Sequence, residues 1–183
     1  MAEHAVVEET VVEETVAGQE NGVVRRREYE WGDPKRAAEV AERMDGLEFV
    51  RAMAAGEISA PPILRTLGFE LTEVEPGRVV FELRPREWHY NPIGGMHGGV
   101  FATILDSATG CAAHSLLPAG VRYTSLDLSV KFLRGVTVET GVLRCEGTVQ
   151  HLGNRTGLAT AELRGADGRL YAHATSSLLI LRD

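Results

Sequence analysis

Asp106 sits near the middle of a stretch that is otherwise largely apolar or small, Asn91 to Leu117, NPIGGMHGGVFATILDSATGCAAHSLL. An ionised carboxylate in such a setting is costly unless something pairs with it or uses it. Asp106 is therefore the most informative residue in the sequence. The segment from Gly98 to His114 is too long for a strand, follows a run of glycines and precedes Pro118. With Leu and Ala as helix formers, this predicts one long helix. At roughly 100° per residue, Asp106 shares its face with Gly99, Ala102, Thr103, Thr109, Gly110 and Ala113, all small. Val100, Phe101, Ile104 and Leu105 lie to the sides and rear. The expectation is a bulky rear packed on a sheet and a small-residue face along which another backbone or a ligand reaches the carboxylate. A structural Asp, hydrogen-bonded at a helix or subunit contact, fits the same position. A membrane span fits poorly, because the run is marginal in length and carries a charge midway.

The remaining elements follow from local signals. VVEET occurs twice in tandem, at 6–10 and 11–15, and Arg25-Arg26-Arg27 forms a basic cluster after it. Acidic residues with little aromatic content predict a disordered, solvated tail over 1–32, on which the arginines could fold back or bind phosphate. Asp33-Pro34 has the chemistry of a helix start. The apolar spacing from Ala37 to Met53, broken at Gly46, predicts a helical arm over 33–67 that is stopped by Pro61-Pro62 and ends in a short turn at Ile63 to Leu67.

The main domain is expected over 68–183. Strands are predicted from Phe69, then from Arg78 to Arg84 after the turn Glu75-Pro76-Gly77. His89, in the polar and aromatic segment that follows, is expected at the surface or lining a substrate. Beyond Pro118-Ala119-Gly120 come four strands: Ser125–Leu133, Val142–His151, Arg155–Arg164 and Arg169–Leu181. In the first of these, Leu126, Leu128, Val130 and Phe132 are expected on one face and Asp127, Ser129 and Lys131 on the other. Gly153-Asn154 and Gly165-Ala166-Asp167-Gly168 are turn chemistry. Two strands, a long helix and four strands give an α+β plan, a sheet wrapped around one helix. A single helix covers such a sheet only in part, so dimerisation is expected to extend it.

Composition removes several classes. The 183 residues are 44% hydrophobic and 25% charged with a net charge of −7, which fits one domain with an extension and excludes a general nucleic-acid binder. Cys111 and Cys145 lie in apolar segments without ligand-like spacing, and are expected as buried free thiols. The N-terminus lacks the basic-then-apolar pattern of a signal peptide, so a cytoplasmic location is expected. There is no Walker-type loop, dinucleotide glycine pattern, metal cluster or Gly-x-Ser-x-Gly elbow.

Asn91, then His97-Gly98-Gly99, then Asp106, then Thr124-Ser125-Leu126-Asp127 resembles the PaaI-like (phenylacetate-pathway type) hotdog-fold acyl-CoA thioesterases, from about Gly46 to Leu181. The resemblance implies a hotdog fold and a site at a dimer interface. It implies that Asp106 is nucleophile or general base, that the Gly98 N–H donates to the thioester oxygen, and that Asn91 and Ser125 position the attacking group. His97, Gly99 and Thr124 would lie beside the substrate, with His97 bracing the glycine turn. Arg134 and Arg155 are candidates for the phosphates of coenzyme A. The assignment has physical sense. The first N–H groups of a helix lack internal partners, glycines leave them open, and one oxyanion donor is worth roughly 3–4 kcal/mol of barrier.

The expected activity is hydrolysis of an acyl- or aroyl-CoA thioester by a homo-oligomer, a dimer or a homotetramer built as a dimer of dimers, with no metal and no organic cofactor. Two other readings use the same residues. One is a non-catalytic acyl-CoA binding or sensing module. The other is a hydratase or dehydratase in which His89 or His97 is essential, although the H-x-P-x-x-P pattern of hotdog dehydratases is absent.

Overall fold

Asp33 caps the first helix as its sequence predicts. Its carboxylate accepts the Lys35 N–H at 2.9 Å, and Pro34 opens α1 (Pro34–Ala41). The computed structural model describes residues 25–182, so the VVEET tandem lies outside the described residues. Residues 25–33 carry no helix or strand. α2 (Gly46–Ala54) buries Phe49, Val50 and Ala52. Its start is tied to the far end of the chain's long helix, with Gly46 N–H donating to Leu117 O at 2.9 Å and Asp45 Oδ1 accepting from Ala119 N–H at 3.0 Å. α3 (Pro62–Leu67) begins on the second of the two prolines, where a missing N–H costs nothing. It ends at Gly68, whose left-handed φ of 67° is glycine territory.

Two strands follow, β1 (Phe69–Glu75) and β2 (Arg78–Leu83), then α4 (Gly98–His114), the helix predicted around Asp106. Five further strands complete the chain: β3 (Arg122–Ser125), β4 (Ser129–Phe132), β5 (Leu143–Leu152), β6 (Thr156–Gly165) and β7 (Leu170–Leu181). All pairings are antiparallel, in the order β1-β2-β5-β6-β7-β3, with β4 also on β7. α4 lies across one face. Phe101, Ile104, Leu105 and Ala108 pack there on Phe81, Leu83, Leu143, Cys145 and Leu163, with Phe49, Val50 and Leu64 of the arm in the same core. The other face of β5 to β7 carries Glu146, Thr148, Glu162 and Thr175, the polar side of a one-sided sheet. Among the described residues, no helix is long and apolar enough to cross a membrane.

The helix rests almost backbone to backbone on β5. A Cβ on Gly147 would lie 2.2 Å from the Ala108 carbonyl oxygen, so glycine is needed there for closeness.

The strand expected over Ser125–Leu133 is broken in two. Ser125 pairs with Leu178 and Ser129 with Thr175, so three residues on one side face two on β7. Asp127 fills the gap. Its Oδ1 accepts the Ser177 N–H at 3.0 Å and its carbonyl accepts the Ser176 hydroxyl at 2.8 Å. An extra residue flips every later side chain to the other face. Odd-numbered Tyr123 and Ser125 face α4 before the bulge, and even-numbered Val130 and Phe132 do so after it. Leu126 is thereby separated from the set expected to share its face, and is 58% exposed.

Candidate active site

The chain reaches α4 through residues 84–97, a segment with little regular structure and many ties. Tyr90 and Met96 form a bridge, Met96 N–H donates to Val136 O at 2.8 Å, and the Tyr90 hydroxyl accepts from Val138 N–H at 2.8 Å. Between them Asn91 organises the turn. Its N–H donates to Gly95 O at 2.7 Å, and its Oδ1 accepts from Ile93 N–H at 3.0 Å and Gly95 N–H at 3.2 Å. The carboxamide oxygen is therefore committed to the loop, and the Nδ2 amide is what Asn91 can offer a ligand.

His97 is the N-cap of α4. Its Nδ1 accepts the Gly99 N–H at 2.9 Å. With Nδ1 accepting, the neutral ring carries its proton on Nε2. Gly98 supplies the first helical amide, which has no preceding helical carbonyl to bond. The Phe132 ring comes over this turn, with Cζ 3.3 Å from where a Gly98 Cβ would be, and stands edge-on to Phe101 at 5.6 Å. A glycine N–H beside an aromatic ring at the open end of a helix can receive a carbonyl oxygen that develops negative charge.

Asp106 is exposed, and its Oδ1 accepts the Ser125 hydroxyl at 3.1 Å. The resemblance implies a positioning role for Ser125, and the fold puts its hydroxyl on this carboxylate. The small-residue face around it is narrower than expected. Thr109, Gly110 and Ala113 are buried, and a Cβ on Gly110 would lie 2.6 Å from the Tyr123 hydroxyl oxygen. The chain's own β3 thus covers the second half of the face and leaves only Gly99 to Asp106 open. The carboxylate has electrostatic consequences nearby. Half-buried Cys111 has its thiol pushed up to about 12, first by burial and then by Asp106. Burial, with Cys111 and Asp106 adding, also raises Tyr123. Cys145 is fully buried and Cys111 only half so, and neither is oxidised.

Other predicted residues are dispersed. Thr124 lies on the opposite face of β3 from Ser125. Arg134 follows β4 and donates to the Leu170 carbonyl at the start of β7. Arg155 precedes β6, and its carbonyl accepts from Ile180 near the end of β7. The two arginines sit at opposite ends of a long strand, roughly 30 Å apart within one chain. Arg25 pairs with Glu87 at 2.5 Å, and Arg27 is folded back on α3. Among the described residues, no group of three metal-ligating side chains is gathered.

His89 corrects the sequence reading. It is 2% exposed rather than on the surface, with Nδ1 accepting from Arg86 N–H at 3.1 Å and Nε2 donating to Leu67 O at 2.7 Å. Both nitrogens are occupied, so it is unsuited to the acid-base role that a dehydratase would need. The roles of Phe132, Tyr123 and His89 were not read from the sequence. The alternation Tyr123-x-Ser125 is the one local pattern that could have pointed to Tyr123.

An α+β hotdog architecture, with the helix start and a hydroxyl-bonded carboxylate on one long central helix, defines the class of the protein. The thioesterase superfamily model matches residues 93–172. "Putative esterase SSO2140" of Saccharolobus solfataricus is 31% identical over 123 residues, 67% of this chain and 86% of that protein. Human acyl-coenzyme A thioesterase 13 is 33% identical over 70 residues, which cover 38% of this chain and 49% of the relative. The Escherichia coli PaaI protein superposes with a TM-score of 0.65 at 20% identity, over 76% of this chain and 96% of that one. The chain belongs to the thioesterase superfamily, and its reaction class is thioester hydrolysis.

Proposed function

We propose that the protein hydrolyses an acyl- or aroyl-CoA thioester to the acid and free coenzyme A. The Gly98 N–H holds the carbonyl oxygen, and Asp106 attacks the carbonyl carbon or activates a water. The observation that carries this is the Ser125 hydroxyl on Asp106 Oδ1 at 3.1 Å, which orients an exposed carboxylate on the same helix that begins at Gly98. The substrate class is supported by the human relative, an acyl-CoA thioesterase by name. Asn91 offers Nδ2, His97 keeps the glycine turn in shape, and Thr124, Arg134 and Arg155 are left for contacts away from the reacting bond.

Geometry adds a requirement. Asp106 follows Gly98 by a little over two turns, about 12 Å of helix, while an attacking group must come within about 3–3.5 Å of the carbonyl carbon. One copy cannot do both jobs on one thioester, so the Gly98 of one protomer works with Asp106 of its partner. The exposed edge formed by β3 and β4 supports this, with Leu126 58%, Phe132 56% and Leu133 49% exposed. The test is thiol release from a panel of acyl- and aroyl-CoAs, with Asp106→Asn beside the wild type. Turnover reduced by about two orders of magnitude or more in a folded variant is expected for a lost base or nucleophile. Equal turnover would sink the assignment.

A further inference from the structure

We propose that His89 is a positioning residue for the oxyanion turn, with Arg27 steadying it from the far side. The inference rests on the reading of Gly98 as oxyanion donor. His89 is buried yet polar, and an apolar ring of that size would lack the two nitrogens that make hydrogen bonds here. What the histidine adds is direction. Nδ1 takes the Arg86 N–H and Nε2–H reaches the Leu67 carbonyl, so the ring is held at both ends. Burial lowers its pKa and keeps it in the neutral form these bonds need.

The backbone of the same residue holds the site. The His89 carbonyl accepts the His97 N–H at 2.7 Å, and His97 caps Gly99 through Nδ1 at 2.9 Å. With the Tyr90–Met96 bridge and the Asn91–Gly95 bond, this closes residues 89–97 into a hairpin-like loop. One arm ends at the oxyanion turn and the other is rooted at His89. On the other side, Leu67 closes α3, whose last carbonyls are gripped by Arg27: its guanidinium donates to Arg65 O at 2.7 Å and to Thr66 O. Arg27 lies over the Trp88 ring at 4.3 Å from its centroid, and Trp88 stands edge-on to His89 at 5.6 Å. The run is continuous from Arg27 through α3, His89 and His97 to Gly99, next to the reacting amide.

Oxyanion geometry is unforgiving, because a misplacement of about 1 Å can cost on the order of a hundredfold in rate. The test compares wild type, His89→Gln, His89→Leu and Arg27→Ala. It reads kcat and KM for a CoA thioester well below each melting temperature, and the ring-nitrogen NMR signals of His97 without substrate. Gln can still offer an N–H to Leu67 O, whereas Leu cannot. The expected kcat order is wild type, then Gln, then Leu, with a loss of about tenfold or more for Leu and KM within about threefold. Arg27→Ala is expected to lose less, in the same direction. The His97 Nδ1 signal should move toward that of a free imidazole in each variant. A lowered melting temperature with kcat and His97 signals unchanged would make His89 a packing residue and overturn the proposal. If the Leu variant does not fold, Gln and Arg27→Ala decide it. A wild type that releases no thiol would count against the thioesterase reading, while the His97 signals still test the relay.

Discussion

Ser125 Oγ donates to Asp106 Oδ1 at 3.1 Å, and one helical turn along, Tyr123 of the same strand meets Gly110. Four residues of helix rise about 6 Å and two residues of strand about 7 Å, so β3 and α4 stay in step as they run in opposite directions. Past the bulge, Phe132 meets Gly98 at the helix start. The edge strand therefore follows the small-residue face of the helix from end to end, closing it at Gly110 and leaving it open at Asp106.

Removing the Ser125 hydroxyl takes away the one side-chain donor to Asp106 among the described residues. Ser125→Ala is expected to fold normally and to lose about tenfold in kcat/KM, the scale of one hydrogen bond to a charged group. Steady-state kinetics on the best thioester would check it. An unchanged kcat/KM would mean the contact orients nothing that the reaction uses.

Two glycine-to-alanine changes should separate function from stability. At Gly147 the new Cβ would be 2.2 Å from the Ala108 carbonyl, so α4 must lift from β5. A loss of about 2–3 kcal/mol in urea unfolding is expected. At Gly98 the contact is the end of the Phe132 ring, 56% exposed and able to turn away. Gly98→Ala should melt within a few degrees of wild type and still lose about a hundredfold in kcat, because the methyl group blocks the amide.

Acid should destabilise the protein in two windows. Burial holds His89 and His114 below the usual imidazole pKa. The unfolded chain then binds more protons, so their contribution is fully present above about pH 6.5 and is lost as pH falls toward the folded values. Glu73, held low mainly by the Arg78 hydrogen bond, and Asp127, held low mainly by the Ser177 N–H, act in the same sense at lower pH, below the ordinary carboxylate values. His114→Phe keeps a ring against Phe49 and Tyr123. It should flatten the fall in melting temperature between pH 7 and 5, as measured by calorimetry, and an identical slope would remove His114 from the account.

The partnership between Gly98 and Asp106 of two protomers can be tested by complementation. Gly98→Ala and Asp106→Asn chains, each nearly inactive alone, should regain activity when mixed and allowed to exchange, since one of the two sites in a mixed dimer would be intact. Leu126→Arg on the exposed edge should shift sedimentation toward the monomer and lower activity with it. Activity that persists in a monomer would show that one chain suffices.

Much of this architecture could be read locally. The bounds of α4 follow from glycines before it and Pro118 after it, the start of α1 from Asp33-Pro34, and the turns at Gly77 and Gly168 from residues that accept positive φ. The triplet His97-Gly98-Gly99 and the lone Asp106 marked both ends of the candidate site. Each of these signals lies within one or two turns of chain, where backbone sterics and hydrogen bonding decide.

The bulge at Asp127 was not legible, because alternation over Leu126 to Phe132 is unbroken in the sequence. The extra residue is accommodated by Ser176 and Ser177, far along the chain on β7. His89 looked like a surface or substrate-lining residue in the segment PREWHYN, since nothing near it announces that Leu67 O accepts from its ring. Gly147 resembled any glycine in a strand until α4 lay on it. The sequence by itself determined, through short-range propensity and capping, most of the helix and strand segments and where along them the candidate residues Gly98 and Asp106 fall. Tertiary structure alone decided which face each strand shows, which polar ring is buried, and that the Ser125 hydroxyl meets the Asp106 carboxylate. Register, burial and side-chain pairing depend on partners that only folding brings together.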